Sequence, residues 1–310
     1  MRFIRHGVLV AMLAAALAVT GCSSSSSKSS NAAGAASGSF PVTVQGTTGS
    51  VTLKAKPTKI ISLSPTATED LFAIGAGKQV IAVDDQSNFP GDAPKTDLSG
   101  VQPNVEAIAS RSPDLVVVSF DANNVVGGLT NLGIPVLVQG TAASLNDAYD
   151  QITALGKATG NVAGATKVVD TMKSQLADAA KQAKKAASPQ KYFFEVDNTY
   201  YTATSKTFIG DVLAPLGLTN IADSADSTGS GFPQLSSEYI VGQNPDYIFF
   251  ADSKCCAQTV QTVSTRPGWA EIAAVKNGRI ALLDDDIASR WGPRTPQLLE
   301  AASKATQSNG

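Results

Sequence analysis

Glu106-Ala-Ile-Ala-Ser-Arg-Ser-Pro-Asp-Leu-Val-Val-Val118 and Glu238-Tyr-Ile-Val-Gly-Gln-Asn-Pro-Asp-Tyr-Ile-Phe-Phe250 carry one pattern, Glu-x-Ile-x4-Pro-Asp followed by an apolar strand. Farther upstream, Leu71-Phe-Ala-Ile-Gly75 is echoed by Leu213-Ala-Pro-Leu-Gly217. One such match would be noise, but two in the same order point to two similar lobes. Around the first copy, buried-strand runs fall at Lys59–Ser64, Gln79–Asp84, Asp114–Ser119 and Pro135–Gln139, with helical segments at Thr66–Ile74 and Val125–Leu132. Around the second, strands are expected at Lys191–Val196, Asp246–Ala251 and Arg279–Leu283, and helices at Phe208–Leu216, Ser236–Val241 and Pro296–Ala302. Strands that alternate with helices pair in parallel and are covered on both faces. Ahead of them, Phe40–Gln45 and Ser50–Lys54 alternate in period two around a turn and read as a hairpin.

Between the halves, Ala165–Ala187 is helical in period, with Val168, Val169, Met172, Leu176, Ala179, Ala180 and Ala183 on one stripe. Pro189 follows as a stop signal. The stripe is packing surface, and a single rigid helix between lobes limits their relative motion. The fold class expected is therefore α/β, with two Rossmann-like lobes of mostly parallel sheets, one long helix joining them and a ligand cleft between. The lobes are expected at 39–160 and 189–310, with the interlobe helix at 161–188.

The start of the chain bears on the compartment. Arg2 and Arg5 precede an apolar run from Val8 to Val19, and Thr20, Gly21 and Cys22 follow. This is the layout of a secretory signal, too short for a span, which needs about 20 residues. Val19-Thr20-Gly21-Cys22 resembles a bacterial lipobox, so residues 1–21 are expected to be removed and Cys22 to be acylated. Stable anchoring takes about two acyl chains. Residues 22–38 are almost all Ser, Ala, Gly and Asn and are expected to form a flexible tether. Its typical reach is on the order of 20–25 Å.

Loss of residues 1–21 removes Arg2, Arg5 and the only histidine, His6, leaving 22 basic against 26 acidic residues. That balance argues against a nucleic-acid partner. A mature chain without histidine has no His-ligated zinc and no Ser-His-Asp or Cys-His mechanism. Nor does the sequence carry a phosphate loop, a nucleophile elbow or paired carboxylates at metal spacing on a helix. No catalytic residue, resident metal or cofactor is expected.

The chain resembles the cobalamin and ferric-siderophore substrate-binding family of ABC importers. Lys59-Ile-Ile-Ser-Leu-Ser-Pro-Thr-Ala-Thr-Glu69, Asn88-Phe-Pro90, Pro103-Asn-Val-Glu106 and Ser112-Pro-Asp-Leu115 carry the resemblance in the first half. Tyr201-Thr-Ala, Phe232-Pro-Gln, Arg266-Pro-Gly-Trp269 and Arg290-Trp-Gly-Pro-Arg294 carry it in the second. It implies a lipid-anchored, extracytoplasmic receptor, expected as a monomer, that hands a small molecule to a permease dimer and its ATPase subunits. It places Gln86, Asn88, Tyr201, Phe232, Asp286, Arg290 and Trp291 at the ligand. Asp286 and Arg290 stand at the positions of polar contacts in cobalamin binders, and Tyr201 and Phe232 at those of aromatic walls. Gln86 stands where such binders carry an aromatic, and Gly100 falls near another such position. A corrinoid is the leading ligand. A ferric siderophore or haem is the alternative, with Arg290, Arg294 or Trp291 facing an anion and Tyr201 as a conceivable iron ligand. A surface sensor or a lipoprotein enzyme would be of another class. The resemblance also assigns Glu106 and Glu238, one per lobe, to docking on importer arginines. Asp284-Asp285-Asp286 reads either as part of the site or as a solvated loop. Cys255-Cys256 reads as a vicinal disulfide or as two thiols, in either case with a local structural role.

Overall fold

The computed structural model describes residues 39–183 and 188–307. The expected signal segment, Cys22 and the tether lie outside the described residues. Among those residues, no helix is long and apolar enough to cross a membrane.

The chain opens with an antiparallel hairpin, β1 (Val42–Gln45) and β2 (Ser50–Leu53). The first lobe follows as β3 (Ile60–Leu63), α1 (Pro65–Ala73), β4 (Val80–Val83), α2 (Val105–Ala109), β5 (Leu115–Val118), α3 (Val125–Asn131), β6 (Val136–Val138) and α4 (Leu145–Thr159). Helix α5 (Val162–Gln182) leads to the second lobe: β7 (Lys191–Glu195), α6 (Phe208–Leu213), β8 (Thr219–Asn220), α7 (Ser237–Gln243) and β9 (Tyr247–Phe250). It ends with α8 (Ser253–Cys256), α9 (Val260–Ser264), α10 (Ala273–Lys276), β10 (Ile280–Leu282), α11 (Asp285–Ser289) and α12 (Thr295–Gln307). The sheets run β4-β3-β5-β6 and β8-β7-β9-β10, and every pair in both is parallel.

The repeated Pro-Asp has the same job in each lobe. Asp114 Oδ2 accepts the Lys59 N–H at 3.0 Å, and the Asp114 N–H donates to the Lys59 carbonyl at 2.8 Å. Asp246 does the same with Lys191, at 2.8 and 2.9 Å. Each aspartate thus sets the register of the second strand against the first, using donors and acceptors that a strand end otherwise leaves open.

Successive strand residues point to opposite faces, and the cores follow that rule. Ile60, Leu115, Phe194 and Phe249 enter one core shared by both lobes, together with Val169, Met172 and Leu176 of α5. Their neighbours Ile61, Val116, Phe193 and Phe250 enter a separate core in each lobe's outer layer. A wide opening of the lobes would expose the shared core, at about 25 cal/mol per Å² of apolar surface. The helix between the lobes is therefore a packed strut.

Several boundaries differ from the sequence reading. Helix α5 begins at Val162 rather than Ala165, and so takes in Gly164, where a Cβ would collide with the carbonyl of Ile74 at the end of α1. It ends at Gln182, and residues 184–187 lie outside the described residues. The helix expected at Phe208–Leu216 stops at Leu213 and tightens into a 3₁₀ turn at Ala214–Leu216, where Pro215 offers no N–H. Helix α4 had no assignment from the sequence. Its signals are present: Ser144 and Asp147 form a reciprocal capping box, and Gly160 closes the helix in the left-handed region.

Candidate functional site

Open parallel sheets bind ligands beyond the carboxyl ends of their strands. There the first lobe presents Ser64 after β3, Asp84–Asn88 after β4 and Phe120 after β5. The second presents Tyr201 beyond β7, Asp252–Cys256 after β9 and Asp284–Arg290 after β10.

Four of the expected ligand residues converge across the lobes. Arg290 is 7% exposed, and its two Nη atoms donate to Glu69 Oε1 (2.9 Å), Asn88 Oδ1 (2.7 Å), the Gln86 carbonyl (3.2 Å) and Asp286 Oδ1 (2.9 Å). Asn88 Nδ2 donates to Asp286 Oδ2 at 3.0 Å. Gln86 thus enters through its backbone, which any side chain at that position supplies. Glu69, buried in α1, also accepts from Arg294 Nε (2.8 Å) and Nη2 (2.5 Å). Two guanidiniums around one buried carboxylate form a charge-assisted network of the stronger kind.

The three consecutive aspartates are divided among tasks. Asp284 caps α11, accepting from the Ile287 N–H, and meets Lys254 Nζ at 3.0 Å. Asp285 accepts from the Ser253 hydroxyl (2.8 Å) and the Lys254 N–H (2.6 Å). Asp286 accepts from Lys254 Nζ at 2.7 Å. Burial pushes the Asp286 carboxyl up, but the bonds from Lys254 and Asn88 and the charge of Arg290 outweigh it, holding its pKa below the ordinary value. The loop is thus bound on both sides. Beside it, Cys255 and Cys256 are joined as a vicinal disulfide.

The apolar side of the cleft is open. Tyr201 and Phe232 are 42% and 41% exposed. Their two segments lie side by side, with residues 231–234 laddered against 201–204: Thr202 N–H donates to the Pro233 carbonyl at 3.1 Å, and Thr204 N–H to that of Gly231 at 2.9 Å. Asp226 folds the preceding loop by accepting from the Gly231 and Ser230 N–H groups at 2.8 and 3.0 Å. On the first lobe Phe89, Val101 and Phe120 are also exposed, and none of them was expected as a site residue. Gly100 carries no side chain because a Cβ would sit 2.7 Å from the Leu63 carbonyl and 2.8 Å from Asp84 Oδ2. Trp291 takes a different place: its indole N–H donates to Gln151 Oε1 of α4 at 2.8 Å, and its ring packs on the shared core.

Beside Tyr200 lies a second buried cluster. Glu195 at the end of β7 is fully buried and holds Arg266 through bonds of 2.5 and 2.6 Å. Asp252, also fully buried, has no donor at either carboxylate oxygen. Burial, with Glu195 beside it, pushes the Asp252 carboxyl up to about 7 although Arg266 pulls it down. A proton on Asp252 lets it donate to Glu195. The folded pKa lies above the unfolded one, so the folded state holds the extra proton and stability falls as pH rises from about 4 to about 7. Asp252→Asn should flatten this slope and stabilise the protein at pH 8, as read by urea unfolding across pH 5–9. An unchanged slope would remove Asp252 as its source.

Glu106 and Glu238 occupy one position twice. Each is exposed at the second residue of a short helix, α2 capped by Asn104 and α7 capped by Ser236, and each helix is anchored by a buried isoleucine, Ile108 or Ile240.

Residues 60–287 match the family model described as periplasmic binding protein. An uncharacterized ABC transporter substrate-binding lipoprotein of Bacillus subtilis (strain 168) is 34% identical over 98% of this chain and 96% of its own length. A cobalamin-binding protein of Halobacterium salinarum is 33% identical over 68% of the chain, a match spanning 58% of that relative. Among solved structures, a possible iron-binding (periplasmic solute-binding) protein of Staphylococcus epidermidis superposes with a TM-score of 0.72 at 29% identity, covering 82% of this chain and all of that one.

Proposed function

Since this chain belongs to the periplasmic binding protein family, we propose that it is the lipid-anchored, extracytoplasmic receptor of an ABC importer and that its cargo is a corrinoid. Capture takes place between the lobes, and delivery to the permease uses Glu106 and Glu238. Cys22 supplies the anchor. The role is binding rather than catalysis.

One observation carries the choice of ligand. The cations gathered at the cleft, Lys254, Arg290 and Arg294, already hold carboxylates, while the open surface is aromatic and aliphatic. An anionic ligand would have to compete with Asp284, Asp286 or Glu69 for its counter-charge, and drawing Arg290 or Arg294 away from the buried Glu69 is costly. A large ligand with apolar faces, amide edges and little net charge needs no such exchange. Tyr201 and Phe232 supply flat walls for it, and Asn88 and Asp286 supply polar contacts at the edge. The cobalamin-binding relative agrees with this reading. An iron chelate is the second reading, supported by the structural relative described as a possible iron-binding protein and by the exposed Tyr201, whose phenol is a known type of iron ligand.

Titration of the full-length protein in detergent with cobalamin, cobinamide, haem and ferric siderophores separates these readings. Trp291 lies beside Arg290 and serves as the fluorescent reporter. Saturable binding of corrinoids alone, at sub-micromolar concentration, is the expected result. Binding confined to a ferric chelate or haem would keep the receptor and replace its cargo, whereas no binding by any of them would sink the proposal.

A further inference from the structure

The two lobes are copies, so equivalent positions can be compared directly. The echo of Leu71-to-Gly75 in Leu213-to-Gly217 aligns α1 with α6 and places Glu69 opposite Asp211, each two residues before its leucine. Both carboxylates reach out of their own lobe. Glu69 grips Arg290 and Arg294, which lie in the segment leading into α12. Asp211 Oδ2 accepts the Leu145 N–H at 2.8 Å, and Leu145 is the first residue of α4. Helices α4 and α12 are themselves counterparts, each following the last strand of its lobe. Each lobe's first helix therefore ties itself, through one acid, to the start of the other lobe's last helix.

We infer that Glu69 and Asp211 are positioning residues, a matched pair of braces that set the opening of the cleft and hold Arg290 in its place there. The chemistry suits the task on both sides. The first N–H groups of a helix have no partner within it, so Asp211 fills an open donor at the positive end of α4. Glu69 engages Arg294 through two parallel bonds, a geometry that fixes angle as well as distance. Between the braces, the Trp291–Gln151 bond also crosses the lobes. The shared core resists wide opening but leaves small rotations available. Two directional ties between the lobes, one from each lobe's first helix, restrict those rotations in a way that a core alone does not. That the cleft is where cargo binds rests on the function proposed above; the braces do not, and their test needs no cargo.

Acrylamide quenching of the ligand-free, full-length protein reads the opening directly. Trp291 is half-buried, its indole N–H bonded to Gln151 of the other lobe, and Trp269, fully buried within the second lobe, is the internal reference. Glu69→Gln and Asp211→Ala should each raise the Trp291 quenching constant about twofold or more, with Trp269 unchanged. Asp211→Asn keeps an oxygen for the Leu145 N–H and should restore the wild-type value, a rescue that a simple packing role for α6 does not predict. Exchange of the Leu145 amide should quicken in Asp211→Ala and not in Asp211→Asn. If Glu69→Gln fails to fold, the Asp211 pair decides the matter alone. Folded Glu69→Gln and Asp211→Ala variants with wild-type quenching would overturn the inference.

Discussion

Reversal of Glu106 and Glu238 to lysine together abolishes cargo uptake by cells and leaves the affinity of the isolated protein unchanged. The expectation comes from placement. Both glutamates are exposed at the second residue of a capped helix, and α2 and α7 are held to the outer cores through Ile108 and Ile240. Neither is part of the hydrogen-bonded network around Arg290. A receptor with two copies of one surface meets a two-subunit permease with one contact per lobe. An exposed ion pair contributes only about 0–1 kcal/mol, so each glutamate serves orientation and association rate more than tight holding. Single reversals should accordingly slow uptake, while the double reversal turns two attractions into two repulsions and stops it. Uptake of labelled cargo by cells carrying each variant, set beside titration of the purified proteins, measures both halves. A parallel fall in affinity would mean that the charges act on the cleft and that docking has been misassigned.

Arg266→Ala should destabilise the fold by about 3–5 kcal/mol, the cost of leaving a buried carboxylate without its counter-ion. Glu195 is fully buried and receives both its bonds from this one guanidinium. Arg266 also donates to Gln258 at 2.8 Å, and its guanidinium lies 4.5 Å from the Trp269 ring centre and 5.2 Å from that of Tyr200. Loss of the side chain therefore removes packing as well as charge. The damage should shrink toward pH 5, because a proton shared between Glu195 and Asp252 then takes over part of the neutralisation. For the same reason Arg266→Ala and Asp252→Asn should not add, since they act on one cluster. Urea unfolding at pH 5 and pH 8 tests the size and the sign together. A loss below about 1 kcal/mol at pH 8 would place the cluster among the weak surface pairs.

How much of this was legible beforehand depends on the distance over which each feature is written. The paired Pro-Asp signatures, the strand runs and the stripe of α5 are properties of neighbouring residues, and their periods and stop signals lie in the chain itself. The expected end of α6 shifted at Pro215, which offers no N–H to continue the helix. Helix α4 carries a capping box and a closing glycine, so both of its ends are written in neighbouring residues. Family resemblance placed Asn88, Asp286 and Arg290 at the cleft, and the fold brings them into direct contact. It also offered Trp291 as a ligand contact, whose indole N–H is instead given to the opposite lobe. Glu69, Lys254 and Asp252 were not singled out, because nothing beside them in sequence distinguishes a buried, paired charge from a solvated one.

Two α/β lobes, the helix between them and the matched glutamates can be read along the chain, because repetition and period survive in a linear string. Which charges meet is a property of the folded chain alone. Arg290 and Glu69 stand 221 residues apart in the chain and 2.9 Å apart in space. An ion pair is chosen by burial and geometry, and both arise only once the sheets have packed into their shared core.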